Sequence, residues 1–244
     1  MLEVCIDSLE SALAAQEGGA ERLELCAALI IGGLSPSPAL YSALVRHGVT
    51  VPVRAMVRPR FGDFLYTDAE KEIMLDETRA WDAFGVEGAV TGALRPDGTL
   101  DTDFLRAFIE ASPNLKHTLH RAFDLTADPF AALETAIELG FDTILTSGQQ
   151  SSARKGADLI RQLQERAAGR IEILVGAGVS AEVITELRPI TGCTSFHLSA
   201  KKTLASGMIY RREGVPMGLP GFDEFSLWQT DAARVRAAKS ALLA

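Results

Sequence analysis

Leu2-Glu3-Val4-Cys5-Ile6-Asp7-Ser8-Leu9, carried through a helix-period run and Gly18-Gly19 into Arg22-Leu23-Glu24-Leu25-Cys26, is one strand–helix–strand unit. Its first turn, Asp7-Ser8-Leu9, contains no glycine. Open doubly wound sheets usually need a Gly-rich turn at that place, so this turn argues against them. The same succession of β-rich run, polar or Gly-containing loop and helix-period segment recurs along the chain, and it means parallel strands joined by helical crossovers. Strands are predicted near Leu2–Cys5, Arg22–Cys26, Val51–Val57, Gly88–Thr91, Leu115–His120, Thr143–Thr146, Ile171–Val175 and Thr194–Leu198. Eight such strands close a barrel. The predicted fold class is therefore α/β, a single (β/α)8 TIM barrel forming one domain over residues 1–244.

Helix starts are marked by Asp7 before Ser8-Leu9-Glu10, by Thr67-Asp68, and by Asp128 with Pro129 at the first helical position. Gly18-Gly19, Gly85 and Gly140 stand where a left-handed cap would end a helix. A final helix is expected from Phe222 to Ala244, with Phe225, Leu227, Ala232, Val235 and Ala238 as its apolar stripe. The stretch from Ser206 to Gly221 is expected to be a loop.

Hydrophobic residues make up 47% of the 244 and charged ones 23%, which gives a sizeable core and argues against disorder. The start, Met1-Leu2-Glu3-Val4-Cys5, carries no basic region before an apolar run, and no stretch is long and apolar enough to span a membrane. A cytoplasmic location is expected. Three cysteines in such a chain predict free thiols. A net charge of −8 without a basic run excludes attraction to nucleic acid or anionic lipid, which leaves a small molecule, a metal or another protein as partner. A homo-oligomer, dimer or tetramer, is expected, and no organic cofactor is predicted.

Side chains alternate across a strand. Leu2, Val4 and Ile6 would face the helices and leave Glu3 and Cys5 inward; Leu23 and Leu25 would leave Arg22, Glu24 and Cys26 inward. The thiols of Cys5 and Cys26 would then stand on adjacent strands and the same face, within reach of one soft metal ion. By the same alternation Arg54, Met56 and Arg58, then Thr118 and His120, then Ser195, His197 and Ser199 point into the lumen. Charge at the carboxyl ends of strands is where barrels keep their chemistry. An anion site is predicted from Arg58, Arg60, Arg121 and His197 with the small-residue loops Ser147-Gly148 and Gly176-Ala177-Gly178.

Taken in order, several motifs resemble the copper homeostasis protein CutC family over nearly the whole chain. They are Leu2-Glu3-Val4-Cys5, Gly19-Ala20-Glu21-Arg22-Leu23-Glu24-Leu25-Cys26, Gly32-Gly33-Leu34-Ser35-Pro36-Ser37, Arg58-Pro59-Arg60-Phe61-Gly62-Asp63-Phe64, His120-Arg121-Ala122-Phe123-Asp124, Leu145-Thr146-Ser147-Gly148 and Gly176-Ala177-Gly178. Ile31 and Phe61 depart from the family's usual Glu and Gly. The resemblance implies a cytosolic protein associated with copper tolerance, with Cu(I) held by Cys5 and Cys26.

Other readings of the same residues remain open. The two thiols also suit plain packing at the barrel top. Without CxxC or HxxxH spacing, structural zinc is disfavoured. Glu24, His120 and Asp124 would serve as base and acid if the barrel were an enzyme acting on a small anionic metabolite, phosphorylated ones included, and Cys26 would suit a nucleophile there. Equally, Glu24 would pair with Arg22 or Arg58 to fix the interior. Cys193, His117 and His47 are expected to be structural or solvated.

Overall fold

β1 (Leu2–Ile6) and β2 (Arg22–Leu25) run parallel in a register that sets Glu3 beside Arg22 and Cys5 beside Glu24. They are followed by β3 (Val53–Met56), β4 (Gly88–Thr91), β5 (Lys116–Leu119), β6 (Thr143–Thr146), β7 (Glu172–Val175) and β8 (Ser195–Leu198). In this computed structural model, which describes every residue except 213, 216, 217, 219, 220 and 222, the eight strands close in sequence order. Closure pairs β8 with β1 and brings His197 to the other side of Glu3.

The helices α1 (Leu9–Gly18), α2 (Pro38–Arg46), α3 (Asp68–Phe84), α4 (Thr102–Glu110), α5 (Pro129–Leu139), α6 (Ala157–Ala167), α7 (Ala181–Thr191) and α8 (Ala232–Leu243) supply the outer layer. Their starts have physical causes. Ser8, one residue beyond the predicted Asp7, accepts from Ser11 N–H; Thr67 and Glu70 form a reciprocal capping box; Asp128 accepts from the N–H groups of Phe130 and Ala131. Gly19, Gly85 and Gly140 take the left-handed conformation at the helix ends. Gly18 is needed for a different reason. A Cβ there would lie 2.5 Å from Val235 Cβ and 2.8 Å from Ala232 O, so glycine lets α8 dock on α1. Gly18→Ala is expected to cost about 1–3 kcal/mol through overpacking, read as a lower denaturant midpoint with an unchanged slope.

One core runs between strands and helices, from Leu2, Val4 and Ile6 at the start to Val235, Ala238 and Leu242 at the end. The inward faces carry charged and hydroxyl side chains, many of them paired with one another. Arg54 donates to Thr118 Oγ1 (2.7 Å), Thr143 Oγ1 (3.0 Å) and Glu87 (3.2 Å). Glu172 accepts from Thr143 (2.8 Å), Ser195 (2.6 Å) and Arg22 (3.2 Å). Such pairing is what makes a charged lumen tolerable.

The end of the chain departs from expectation. Among the described residues of that span only Ala232–Leu243 is helical; Ser226–Thr230 is a strand, β10, paired antiparallel with β9 (Lys201–Ala205). Leu227 and Phe225 therefore belong to no helical stripe, and Leu227 is exposed on this hairpin. Ser226–Thr230 pairs residue by residue with Lys201–Ala205, from Thr230 beside Lys201 to Ser226 beside Ala205, and Asp231 caps the helix by accepting from Ala233 and Arg234. The predicted helix start, Phe222, lies outside the described residues.

Candidate functional site at the barrel mouth

The register of β8, β1 and β2 builds the site. Glu3, fully buried between two strands, accepts a close hydrogen bond from Arg22 Nε on one side and bonds His197 Nδ1 at 2.7 Å on the other. Burial opposes its charge, but Arg22 and His197 overcome this and hold the carboxyl down at about 2. The second imidazole nitrogen, Nε2, is then turned toward Glu24, 3.8 Å away. Cys5 completes the group: ligand atoms of Cys5, Glu24 and His197 all lie within 4.8 Å of one another. Burial works against a charge on His197, yet the Cys5 sulfur, Glu24 and Glu3 raise it well above the usual imidazole range. Glu24 is held up chiefly by burial and, in part, by nearby Glu3, and its Oε1 is buried without a hydrogen-bond partner among the described residues.

A cavity of about 440 Å³ opens above these groups. Cys5, Glu24 and His197 line it, as do Arg58, His120, Arg121 and Gly178. Ile31, one of the two departures from the motif pattern, also lines it, whereas Phe61 stands exposed.

Cys26 stays out of the cavity lining although it shares the inward face. The loop after β2 folds over it: a Cβ on Gly33 would lie 3.2 Å from Cys26 Sγ, and Met56, Val90 and Leu29 pack around the thiol. Its Sγ approaches Glu24 Oε2 at 3.5 Å, and burial, Glu24 and Cys5 push the thiol well above its ordinary value. Glu24 itself makes no ion pair with an arginine among the described residues. Arg22 is taken by Glu3 and Glu172, and Arg58 donates to the carbonyls of Gly62 (2.9 Å), Gly33 (3.0 Å) and Ile31 (3.4 Å).

The other predicted residues are spread over the rim. Arg60 is absorbed by its own loop, with Glu70 at 2.6 Å, Asp63 at 3.0 Å and the Leu65 carbonyl at 2.8 Å. Asp124 is occupied on both oxygens. Thr146 Oγ1 (2.6 Å), Gln149 N (3.1 Å), Ser147 N (3.0 Å), Ser147 Oγ (2.8 Å) and Arg121 Nε (2.8 Å) all donate to it. The amides of the Ser147-Gly148 loop are thereby spent, because Gly148 N–H also donates to Thr146 Oγ1 and Gly176 N–H to the Thr146 carbonyl. Asp124 sits where an anion bound to this loop would sit. His117 bonds Ser112 Oγ in the helix layer and burial lowers it to about 4; Cys193 is buried and held up at about 11; His47 is exposed.

A closed (β/α)8 barrel with a buried thiol–carboxyl–imidazole group at the carboxyl ends of its strands defines the class of protein. The CutC family model matches residues 1–202, and the chain belongs to that family. It is 44% identical over 237 residues to the copper homeostasis protein cutC homolog of Mus musculus, covering 97% of this chain and 87% of that protein. It is 43% identical over 241 residues to a CutC family protein of Pasteurella multocida, covering 99% and 98%. The crystal structure of the putative copper homeostasis protein CutC from Streptococcus agalactiae superimposes with a TM-score of 0.77 at 29% identity, covering 82% of this chain and 98% of that one.

The residue that reasoning from the sequence left without a role is Glu3. It points inward by simple alternation, but its bond to His197 exists only because β8 closes on β1, 194 residues apart.

Proposed function

We propose that this chain, a copper homeostasis protein like the mouse protein it resembles, takes up Cu(I) at the barrel mouth. One observation carries the reading: Cys5, Glu24 and His197 present a sulfur, an oxygen and a nitrogen within 4.8 Å of one another at the edge of a cavity. A thiol and an imidazole are donors that a soft monovalent ion accepts, and two of them suffice for a low-coordinate site. Glu3 bonding His197 Nδ1 fixes the ring so that Nε2 faces the ion, the usual carboxylate–histidine–metal arrangement. Cys5 supplies the thiolate and His197 the opposing nitrogen. Loading would release two protons, one from the Cys5 thiol and one from Nε2 of the charged His197 imidazole; Glu24 would take one and solvent the other. Cys26, covered by its loop, is the reserve donor behind Glu24.

Anaerobic Cu(I) titration against bathocuproine disulfonate tests this. The wild-type protein should take one equivalent, and Cys5→Ser and His197→Ala should each lose it. Cys26→Ser should weaken binding far less than Cys5→Ser. Equal binding by wild type and Cys5→Ser would overturn the proposal.

No helix among the described residues is long and apolar enough to cross a membrane. With three free cysteines this supports a cytoplasmic protein. We take residues 1–244 as a single domain. Association into a dimer or tetramer fits the exposed Ile209, Tyr210 and Leu227, and light scattering on eluted protein decides it.

A further inference from the structure

We infer that the mouth has a second ligand beside the metal, a small 2-oxo or 2-hydroxy carboxylic acid, whose oxygen accepts a hydrogen bond from His120 Nε2–H and whose carboxylate neutralises Arg58. The inference is independent of the copper reading, because neither His120 nor Arg58 belongs to the Cys5–Glu24–His197 group.

His120 carries the argument. It ends β5 and opens a 3-10 turn, Arg121–Leu125, where its Nδ1 accepts the N–H of Ala122 at 3.1 Å. An acceptor at Nδ1 puts the proton of a neutral imidazole on Nε2. Burial and the charge of Arg58 keep the ring neutral, at about 3. Nε2–H is therefore a fixed donor. It is buried, has no hydrogen-bond partner among the described residues, and belongs to a residue lining the cavity. A buried donor without an acceptor costs free energy, which a ligand oxygen returns. As a metal ligand the same nitrogen would have to lose its proton to Nδ1, which already faces an N–H.

The ring is held firmly. Phe64 packs on it at 4.7 Å between centroids, and a Cβ at Gly92 would come within 2.7 Å of its Nδ1 and Cε1. Only glycine leaves the ring its place.

Arg58 supplies the anion preference. It is buried, lines the cavity and packs over the same Phe64 ring at 5.0 Å, so it and His120 are neighbours across one aromatic side chain. Its partners are carbonyls, and among the described residues no carboxylate lies within 4.0 Å of it. A buried guanidinium whose hydrogen bonds go to neutral carbonyls lacks a counter-charge, and a ligand carboxylate provides it. Phosphate is the poorer match. The amides of Ser147, Gly148 and Gln149 that would cradle it after β6 are already bound to Asp124 and Thr146.

The test is calorimetric titration of the metal-free protein with pyruvate, lactate, propionate and inorganic phosphate. Pyruvate or lactate should bind more tightly than propionate, by about tenfold for the one extra hydrogen bond. His120→Phe keeps a ring against Phe64 and should reduce both to the level of propionate, with near-UV circular dichroism reporting the fold. Equal affinities for pyruvate and propionate in the wild type, or phosphate binding best, would overturn the inference. So would a 15N spectrum of the wild-type imidazoles in which His120 carries its proton on Nδ1, a measurement that does not depend on the variant folding.

Discussion

Glu3→Gln is expected to lower stability by about 3–5 kcal/mol at neutral pH, the cost of removing one partner from a buried ion pair. Its carboxylate has no exposure to solvent and neutralises Arg22, which is itself buried and already has one nitrogen, Nη2, without a partner. A neutral amide leaves that guanidinium with Glu172 alone, at 3.2 Å, and removes the charge that holds His197. For a chain of this length the melting temperature should fall by roughly 10 °C. The sign of the pH dependence follows from the depressed carboxyl. Glu3 titrates at about 2 in the fold against 4.5 as the ordinary value, so its contribution is complete above 4.5 and is lost as pH falls toward 2. Wild type and variant should differ most at neutral pH and converge near pH 2. Melting curves that stay equally far apart down to pH 2 would show that the charge of Glu3 is not what stabilises the barrel.

Asp124→Asn should be comparably damaging, whereas Arg121→Ala should cost only on the order of 1 kcal/mol. The two residues form one ion pair at 2.8 Å, yet their surroundings differ. Arg121 has a side chain 45% exposed, and that of Asp124 is 5% exposed. Removing Arg121 leaves the carboxylate with four other groups donating to it from Thr146, Ser147 and Gln149. An asparagine at 124 must instead turn its amide nitrogen toward some of those donors, and each buried group left unpaired costs about 1–3 kcal/mol. Chemical denaturation of both variants separates them. A large loss for Arg121→Ala with a small one for Asp124→Asn would mean that the guanidinium, not the carboxylate, holds the loop.

The barrel was legible because its first strands alternate and most helices carry a start signal, as in Leu2-Glu3-Val4-Cys5-Ile6 followed by a serine cap, whereas α6 begins at Gly156 with no side-chain cap. The last strand pair was not. Leu227 and Phe225 fit a helical stripe as well as a strand in so short a segment, and the pairing of β10 with β9 that decides between them is a tertiary fact. Within the site, alternation placed Cys5, Glu24 and His197 inward, but two features needed the folded chain. The loop that buries Cys26 depends on the close approach of Gly33, and the Glu3–His197 bond depends on closure of the sheet. Asp124 and Arg60 look like site residues in a motif because they are charged and near the rim. Their partners, Ser147 and Thr146 for one and Glu70 for the other, make them the framework of loops.

Copper K-edge X-ray absorption on protein loaded anaerobically with one equivalent of Cu(I) tests the central claim most directly. The account predicts a low-coordinate ion with one sulfur from Cys5 and one imidazole nitrogen from His197, and a spectrum unchanged by Cys26→Ser. A site with two sulfurs and no imidazole scattering would contradict it, as the ion would then be held by Cys5 and Cys26 with the covering loop displaced.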